Sequence, residues 1–127
     1  MKLLLVDRKD IATFAREEVL SQQYHHQVDY AFTYDEFLSK YAVDKYRIVI
    51  LDFAVEAGEK ALAYIEGTDP KQRVIIISGS EAYSEPNGCT HCVERYNRRR
   101  LKKPVGIADL ANAIRDFDYA PCTHYHD

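Results

Sequence analysis

Ile48-Val49-Ile50-Leu51-Asp52 decides how this chain folds: four bulky aliphatic residues in unbroken succession, closed by an acid. A short run that is apolar at every position suits a strand buried on both faces, as in the middle of a parallel sheet. Leu3-Leu4-Leu5-Val6, closed by Asp7, and Val74-Ile75-Ile76-Ile77, closed by Ser78, have the same form. Val28-Asp29-Tyr30-Ala31-Phe32 alternates instead, which predicts a half-covered strand nearer an edge.

Helical patterns lie between these runs. Asp10 is placed to cap a helix carrying Ile11, Phe14, Ala15 and Val19 on one face. Thr33-Tyr34-Asp35-Glu36 reads as a capping box, with Phe32 and Phe37 at the spacing of a hydrophobic staple. A third helix is predicted over Ala57 to Glu66, stopped by Gly67 and then Asp69-Pro70. A fourth, weaker one covers roughly Cys89 to Asn97. A fifth runs from Ile107 to Phe117, with Leu110, Ala113, Ile114 and Phe117 at helical spacing. With a fifth strand in the Arg99 to Lys102 region, β-α repeats five times. That order implies right-handed crossovers and a three-layer α/β domain, its sheet covered on both sides.

Composition narrows the function classes. The chain has 127 residues, 46% of them apolar, and a net charge of −3. This is the size of one globular domain with a real core. No apolar run is long enough to span a bilayer. Met1-Lys2-Leu3-Leu4-Leu5-Val6-Asp7 is too short and too soon charged for a signal peptide, so a cytoplasmic location is expected. Three cysteines make an odd number for a disulfide framework and suit a reducing compartment. The mild acidity, with no helix-turn-helix or other reading module, speaks against nucleic-acid binding.

In open parallel sheets, ligands bind at the carboxyl ends of the strands, where strand order reverses. The residues that follow the buried runs are Asp7, Asp52, Ser78 and, near the end of strand five, Lys103 followed by Pro104. Two acids, a hydroxyl and an amine would converge on one rim. Together they suit phosphoryl transfer to a carboxylate, with Asp52 as nucleophile and a divalent cation held partly by Asp7. Ser78 and Lys103 would bind the phosphoryl oxygens. Singly, each has an ordinary explanation as a cap, a turn residue or a solvated lysine. The joint pattern is far more specific.

On these residues the sequence resembles the receiver domain of two-component response regulators. The matching pieces are Leu3 to Asp7, Ile48 to Asp52, Ile75-Ile76-Ile77-Ser78-Gly79 and Leu101-Lys102-Lys103-Pro104-Val105. The likeness spans about residue 2 to residue 117, giving a receiver-like domain over 1–118 and a Cys/His-containing tail over 119–127. It implies a flavodoxin-like five-stranded parallel sheet of order 2-1-3-4-5. It also implies phosphorylation of Asp52 by a histidine kinase or phosphotransfer protein, and later autodephosphorylation. Mg²⁺ would be held by Asp7 and Asp52. Output would pass to a downstream protein through the face of the fourth helix, fifth strand and fifth helix. A stand-alone, atypical receiver is therefore expected, with no membrane partner and a homodimer left open.

The departures from that family bear on mechanism. Arg8 stands where receivers usually carry a second acid that ligates Mg²⁺, and a guanidinium cannot ligate a metal. Phe53-Ala54-Val55-Glu56 replaces the family's Met-Pro stretch, and Arg100 replaces the aromatic residue three positions before the lysine. Three readings of Arg8 follow. Asp10 or Glu56 supplies the missing carboxylate; or the guanidinium sits over Asp7 and Asp52 as a permanent counter-ion; or Arg8 points into solvent.

Cys89-Thr90-His91-Cys92 and Cys122-Thr123-His124-Tyr125-His126 suggest a second chemistry. Cys89, Cys92, Cys122 and His124 could form a tetrahedral Zn²⁺ site, although the expected topology places the tail near His25 and His26, across the domain. Cys89 and Cys92 could alternatively be a redox pair near a helix start. Against a metal- or redox-responsive adaptor stand the ordinary readings, small residues at a loop-helix junction and a disordered tail. Arg98-Arg99-Arg100 and Lys102-Lys103 combine edge-strand protection with docking of an acidic partner. An FMN carrier of the same strand order is disfavoured, because Asp7-Arg8-Lys9-Asp10 lacks a phosphate-cradling loop.

Overall fold

A computed structural model describes residues 1–79 and 97–119. The predicted fourth helix and the tail residues Cys122 and His124 lie outside the described residues, as do Cys89 and Cys92. The elements are β1 (Lys2–Val6), α1 (Ile11–Gln22), β2 (Gln27–Ala31), α2 (Tyr34–Lys40), β3 (Ile48–Asp52), α3 (Glu56–Thr68), β4 (Arg73–Ser78), β5 (Arg98–Lys102) and α4 (Ile107–Tyr119). All strand pairs are parallel, in the order β2-β1-β3-β4-β5. The continuous apolar runs form the three central strands, and the alternating run lies at an edge, as expected from their patterns.

Alternation of side chains across the pleat divides the central strands between two cores. Leu4, Val6, Val49, Leu51, Val74 and Ile76 face α2 and α3, meeting Phe37, Ala57, Ala61, Leu62 and Ile65. Leu3, Leu5, Ile48, Ile50, Ile75 and Ile77 face α1 and α4, meeting Leu20, Leu110, Ala111, Ile114 and Phe117. Each layer needs its helices to leave the sheet dry, which is why the strands read as apolar throughout.

Several local expectations are revised. Helix α1 does not bury the face of Ile11, Phe14 and Ala15; Ile11 is 86% exposed, and the buried positions are Thr13 and Leu20. The reason is polar. Asp10 caps the helix by accepting from the Thr13 N–H at 2.9 Å, and the Thr13 hydroxyl donates to the Arg8 carbonyl at 2.7 Å. These bonds fix the rotation of the first turn, overriding a modest apolar stripe. At α2, Thr33 accepts from the Glu36 N–H at 3.1 Å, while the Glu36 carboxylate accepts from the Phe32 N–H at 3.2 Å. The expected Phe32–Phe37 staple is replaced by two separate aromatic groups: Phe32 packs on Phe14 and Tyr30, and Phe37 on Tyr34, Tyr41 and Tyr64. Helix α3 runs through Gly67 to Thr68, where the Asp69 N–H closes it on the Ile65 carbonyl at 2.7 Å.

Strand β5 is an edge strand, as its charges suggested, but Arg98 is not displayed there. Its side chain is buried, with Nη2 3.5 Å from Glu66 on α3. Arg99 lies over the Phe117 ring at 5.3 Å, so its planar cation covers the α4 core residue.

Candidate functional site

Sheet register lines up the polar residues at one rim. Val6 pairs with Leu51, so Asp7 and Asp52 emerge side by side; Asp52 pairs with Ile77, next to Ser78; and Ser78 pairs with Lys102, next to Lys103. Main-chain bonds tie the exits together: Phe53 N–H to the Ile77 carbonyl at 2.9 Å, and Lys103 N–H to the Ser78 carbonyl at 3.1 Å. Asp7, Asp52 and Ser78 are buried although polar.

Lys103 reaches inward to Asp52, with Nζ 2.9 Å from Oδ1. The same oxygen accepts from the Ala54 N–H at 2.8 Å. The stem of Lys103 crosses Gly79, where a Cβ would lie 3.4 Å from both Cβ and Cδ of the lysine. A side chain there would lie in van der Waals contact with the stem of the lysine without blocking it. The Lys103–Pro104 peptide bond is cis.

Asp7 has a different cation. Its Oδ2 lies 2.6 Å from Nη1 of Arg16, on the second turn of α1, and its Oδ1 accepts from the Arg8 N–H at 2.7 Å. Arg8 itself turns away, 58% exposed, with Nε 4.0 Å from Asp10. The reading of Arg8 as counter-ion over Asp7 and Asp52 is corrected: its guanidinium is exposed beside Asp10, and the cation on Asp7 comes from Arg16. The sequence reading missed Arg16 because it followed the apolar stripe of α1. The usable signal was Asp10: once it caps the helix through Thr13, positions 13, 16 and 20 share the inward face.

Burial pushes the Asp7 carboxyl above its ordinary value, and the neighbouring Asp52 charge pushes the same way. The Arg8 N–H and Arg16 oppose the shift without reversing it. The folded chain therefore holds the Asp7 proton to a higher pH than the unfolded chain does. Stability from this group is present below the ordinary carboxylate range and lost as pH rises through the folded value. Ionising Asp7 therefore costs the folded chain more than it costs the unfolded one. Asp7→Asn is accordingly expected to gain in melting temperature relative to the native chain as pH rises from about 4 to about 7. Arg16, partly exposed, can be solvated in that variant. Thermal melts across this range check the sign, and a difference between variant and native chain that falls as pH rises would refute it.

A divalent cation is the group this arrangement must be tested against. Mg²⁺ wants six oxygens in near-octahedral order and dehydrates reluctantly. Both acids already hold cationic partners, and Asp10 is engaged as a helix cap. Among the described residues, no group of three His, Cys, Asp or Glu side chains could hold a metal. It is the pairing of both acids with Arg16 and Lys103, and not the number of acids, that does not fit the ion. Cys89, Cys92, Cys122 and His124, the expected zinc ligands, lie outside the described residues. No described helix is long and apolar enough to cross a membrane.

Solved structures share this architecture. The receiver domain of the Francisella response regulator 1452 superposes with a TM-score of 0.72 at 18% identity, covering 93% of this chain and 96% of that one. A CheY-like response regulator receiver domain protein from Methanospirillum hungatei gives 0.71 at 19% identity, covering 93% of each. The BeF3-activated receiver domain of DrrB, a Thermotoga maritima protein, gives 0.65 at 19% identity, covering 94% of this chain and 97% of that one. At these identities the likeness is one of fold: the chain has the flavodoxin-like receiver fold. No family model and no curated protein matches the sequence.

Proposed function

We propose that this chain is an atypical receiver of two-component signalling that accepts a phosphoryl group on Asp52. The observation that carries the reading is the Lys103–Asp52 ion pair at 2.9 Å, set at the strand ends of a receiver fold. An ammonium held against a buried carboxylate is placed to meet the charge that arrives with a phosphoryl group. Ser78, on the neighbouring strand end, offers a hydroxyl to the same oxygens.

The transfer balances without a proton. A carboxylate oxygen of Asp52 attacks phosphorus, the bond from phosphorus to the donor breaks, and the donor leaves with the electron pair. From a phosphohistidine or an acyl phosphate the departing group is a stabilised imidazole or carboxylate. Hydrolysis of the aspartyl phosphate then resets the site. The chain's chemistry is confined to itself, and its output is contact. The donor would be a histidine kinase or a phosphotransfer protein. The outlet to a downstream target would include β5 and the last helix, α4, where Arg99 covers Phe117 and the charges of β5 would suit an acidic partner.

Acetyl phosphate tests the acceptor. Mass spectrometry is expected to show the gain of one phosphoryl group in the native chain and none in Asp52→Asn. Equal labelling of the two would remove Asp52 from the role, and no labelling of the native chain would remove the reading itself.

A further inference from the structure

Two carboxylates and two cations meet in this pocket, and both cations are covalent parts of the chain. Lys103 answers Asp52. Arg16 answers Asp7 at 2.6 Å from a side chain only 21% exposed, on a helix whose first turn is pinned by the Asp10 cap and by the Thr13 bond to the Arg8 carbonyl. The other Asp7 oxygen is committed to the Arg8 N–H. Arg8 contributes backbone to the pocket and sends its guanidinium to solvent. A divalent cation approaching Asp7 would have to expel Arg16, losing a charge-assisted bond between a buried acid and a guanidinium.

We propose that Arg16 is a resident counter-ion that takes the charge-neutralising place of a divalent cation on Asp7, so that the pocket excludes Mg²⁺ and works without it. Calling this the phosphoacceptor pocket rests on the function proposed above; the exclusion of metal does not. The guanidinium is suited to the task for the reason that it cannot be a ligand: it carries fixed charge, binds carboxylate oxygens directionally and does not deprotonate. It also makes the device removable by one substitution.

The test is a calorimetric titration with Mg²⁺ of the native full-length chain and of Arg16→Gln, Arg16→Lys and Arg8→Gln, each checked for native circular dichroism. The native chain and Arg16→Lys, which keeps the charge, are expected to show no saturable binding where Arg16→Gln saturates. The gain in affinity for Arg16→Gln should be at least about tenfold. Arg8→Gln, a change at an exposed side chain, should behave as the native chain does and show no saturable binding over that range. A parallel reaction with acetyl phosphate, in EDTA and in Mg²⁺, should label the native chain at rates within about twofold of each other, whereas Arg16→Gln should become dependent on Mg²⁺. Saturable native binding as tight as that of Arg16→Gln overturns the proposal, and so does native labelling that EDTA abolishes. If Arg16→Gln fails to fold, the native titration still decides: saturable binding of Mg²⁺ at the pocket refutes the counter-ion. A native chain that is labelled in neither condition, alongside an Arg16→Gln variant that alone gains Mg²⁺ binding, supports the counter-ion and sinks the Asp52 reading instead.

Discussion

Gly58→Val is expected to destabilise the fold by about 3 kcal/mol or more and to displace Asp52 from Lys103. Gly58 is the third residue of α3, and a Cβ placed there would lie 2.4 Å from the Asp52 carbonyl oxygen and 3.0 Å from its carbonyl carbon. Those atoms are backbone at the end of a central strand, so relief requires the helix or the strand to move. Helix propensity works the other way. In an unconstrained helix, replacing Gly by Ala gains about 1 kcal/mol. Overpacking typically costs about 1–3 kcal/mol, and a contact this short against backbone belongs at the upper end, so the clash wins even for Ala. The expected order of stability in urea is therefore native, then Gly58→Ala, then Gly58→Val. An alanine variant as stable as the native chain would show that the helix start is not pressed onto Asp52. The functional stake is position: the loop from Asp52 to α3 is only Phe53–Val55, and the acid sits where Gly58 lets it sit.

Phe37→Ala should cost about 3–5 kcal/mol, the range for emptying a buried aromatic site. Phe37 is fully buried in the core beneath α2 and α3. Its ring lies nearly parallel to Tyr34 and Tyr41, with centroids at 6.1 and 5.2 Å, and meets Tyr64 edge-on at 5.8 Å. Tyr41, tied by its hydroxyl to Asp69 at 2.7 Å, cannot collapse inward to fill the void without losing that bond. Phe37→Leu, which keeps most of the volume, should cost under about 2 kcal/mol. Denaturant unfolding of the pair separates cavity from chemistry. A loss below about 1.5 kcal/mol for the alanine variant would mean that the helices close over the gap.

The three continuous apolar runs made the sheet legible from sequence, since only strands covered on both faces tolerate such runs. Once the strands were placed, their carboxyl ends named Asp7, Asp52, Ser78 and Lys103. What sequence could not show was the rotation of α1. Ile11 and Phe14 outvoted Thr13 and Arg16 in any count of hydrophobicity, yet hydrogen bonds from Asp10 and to the Arg8 carbonyl set the turn. For the same reason Arg8, adjacent in sequence to Asp7, offers itself as a counter-ion, when helical geometry delivers one from Arg16. Arg98 was misread similarly: a charge in an edge strand looks displayed until α3 supplies Glu66 beside it.

The central strands share one more property. Each is four apolar residues bracketed by a basic residue at its start and a polar one at its end: Lys2 and Asp7, Arg47 and Asp52, Arg73 and Ser78. Because both faces of the sheet are greasy, hydrophobic alternation would hardly oppose a strand sliding by one residue against its neighbour. The brackets oppose it. Sliding either way would drag a charge or a hydroxyl into the dry interior, a penalty of several kcal/mol for an unpaired ion. The acids that furnish the pocket thus also act as stops that keep the strands from slipping. Neutralising both Asp7 and Asp52 would leave the central sheet freer to misalign while it forms.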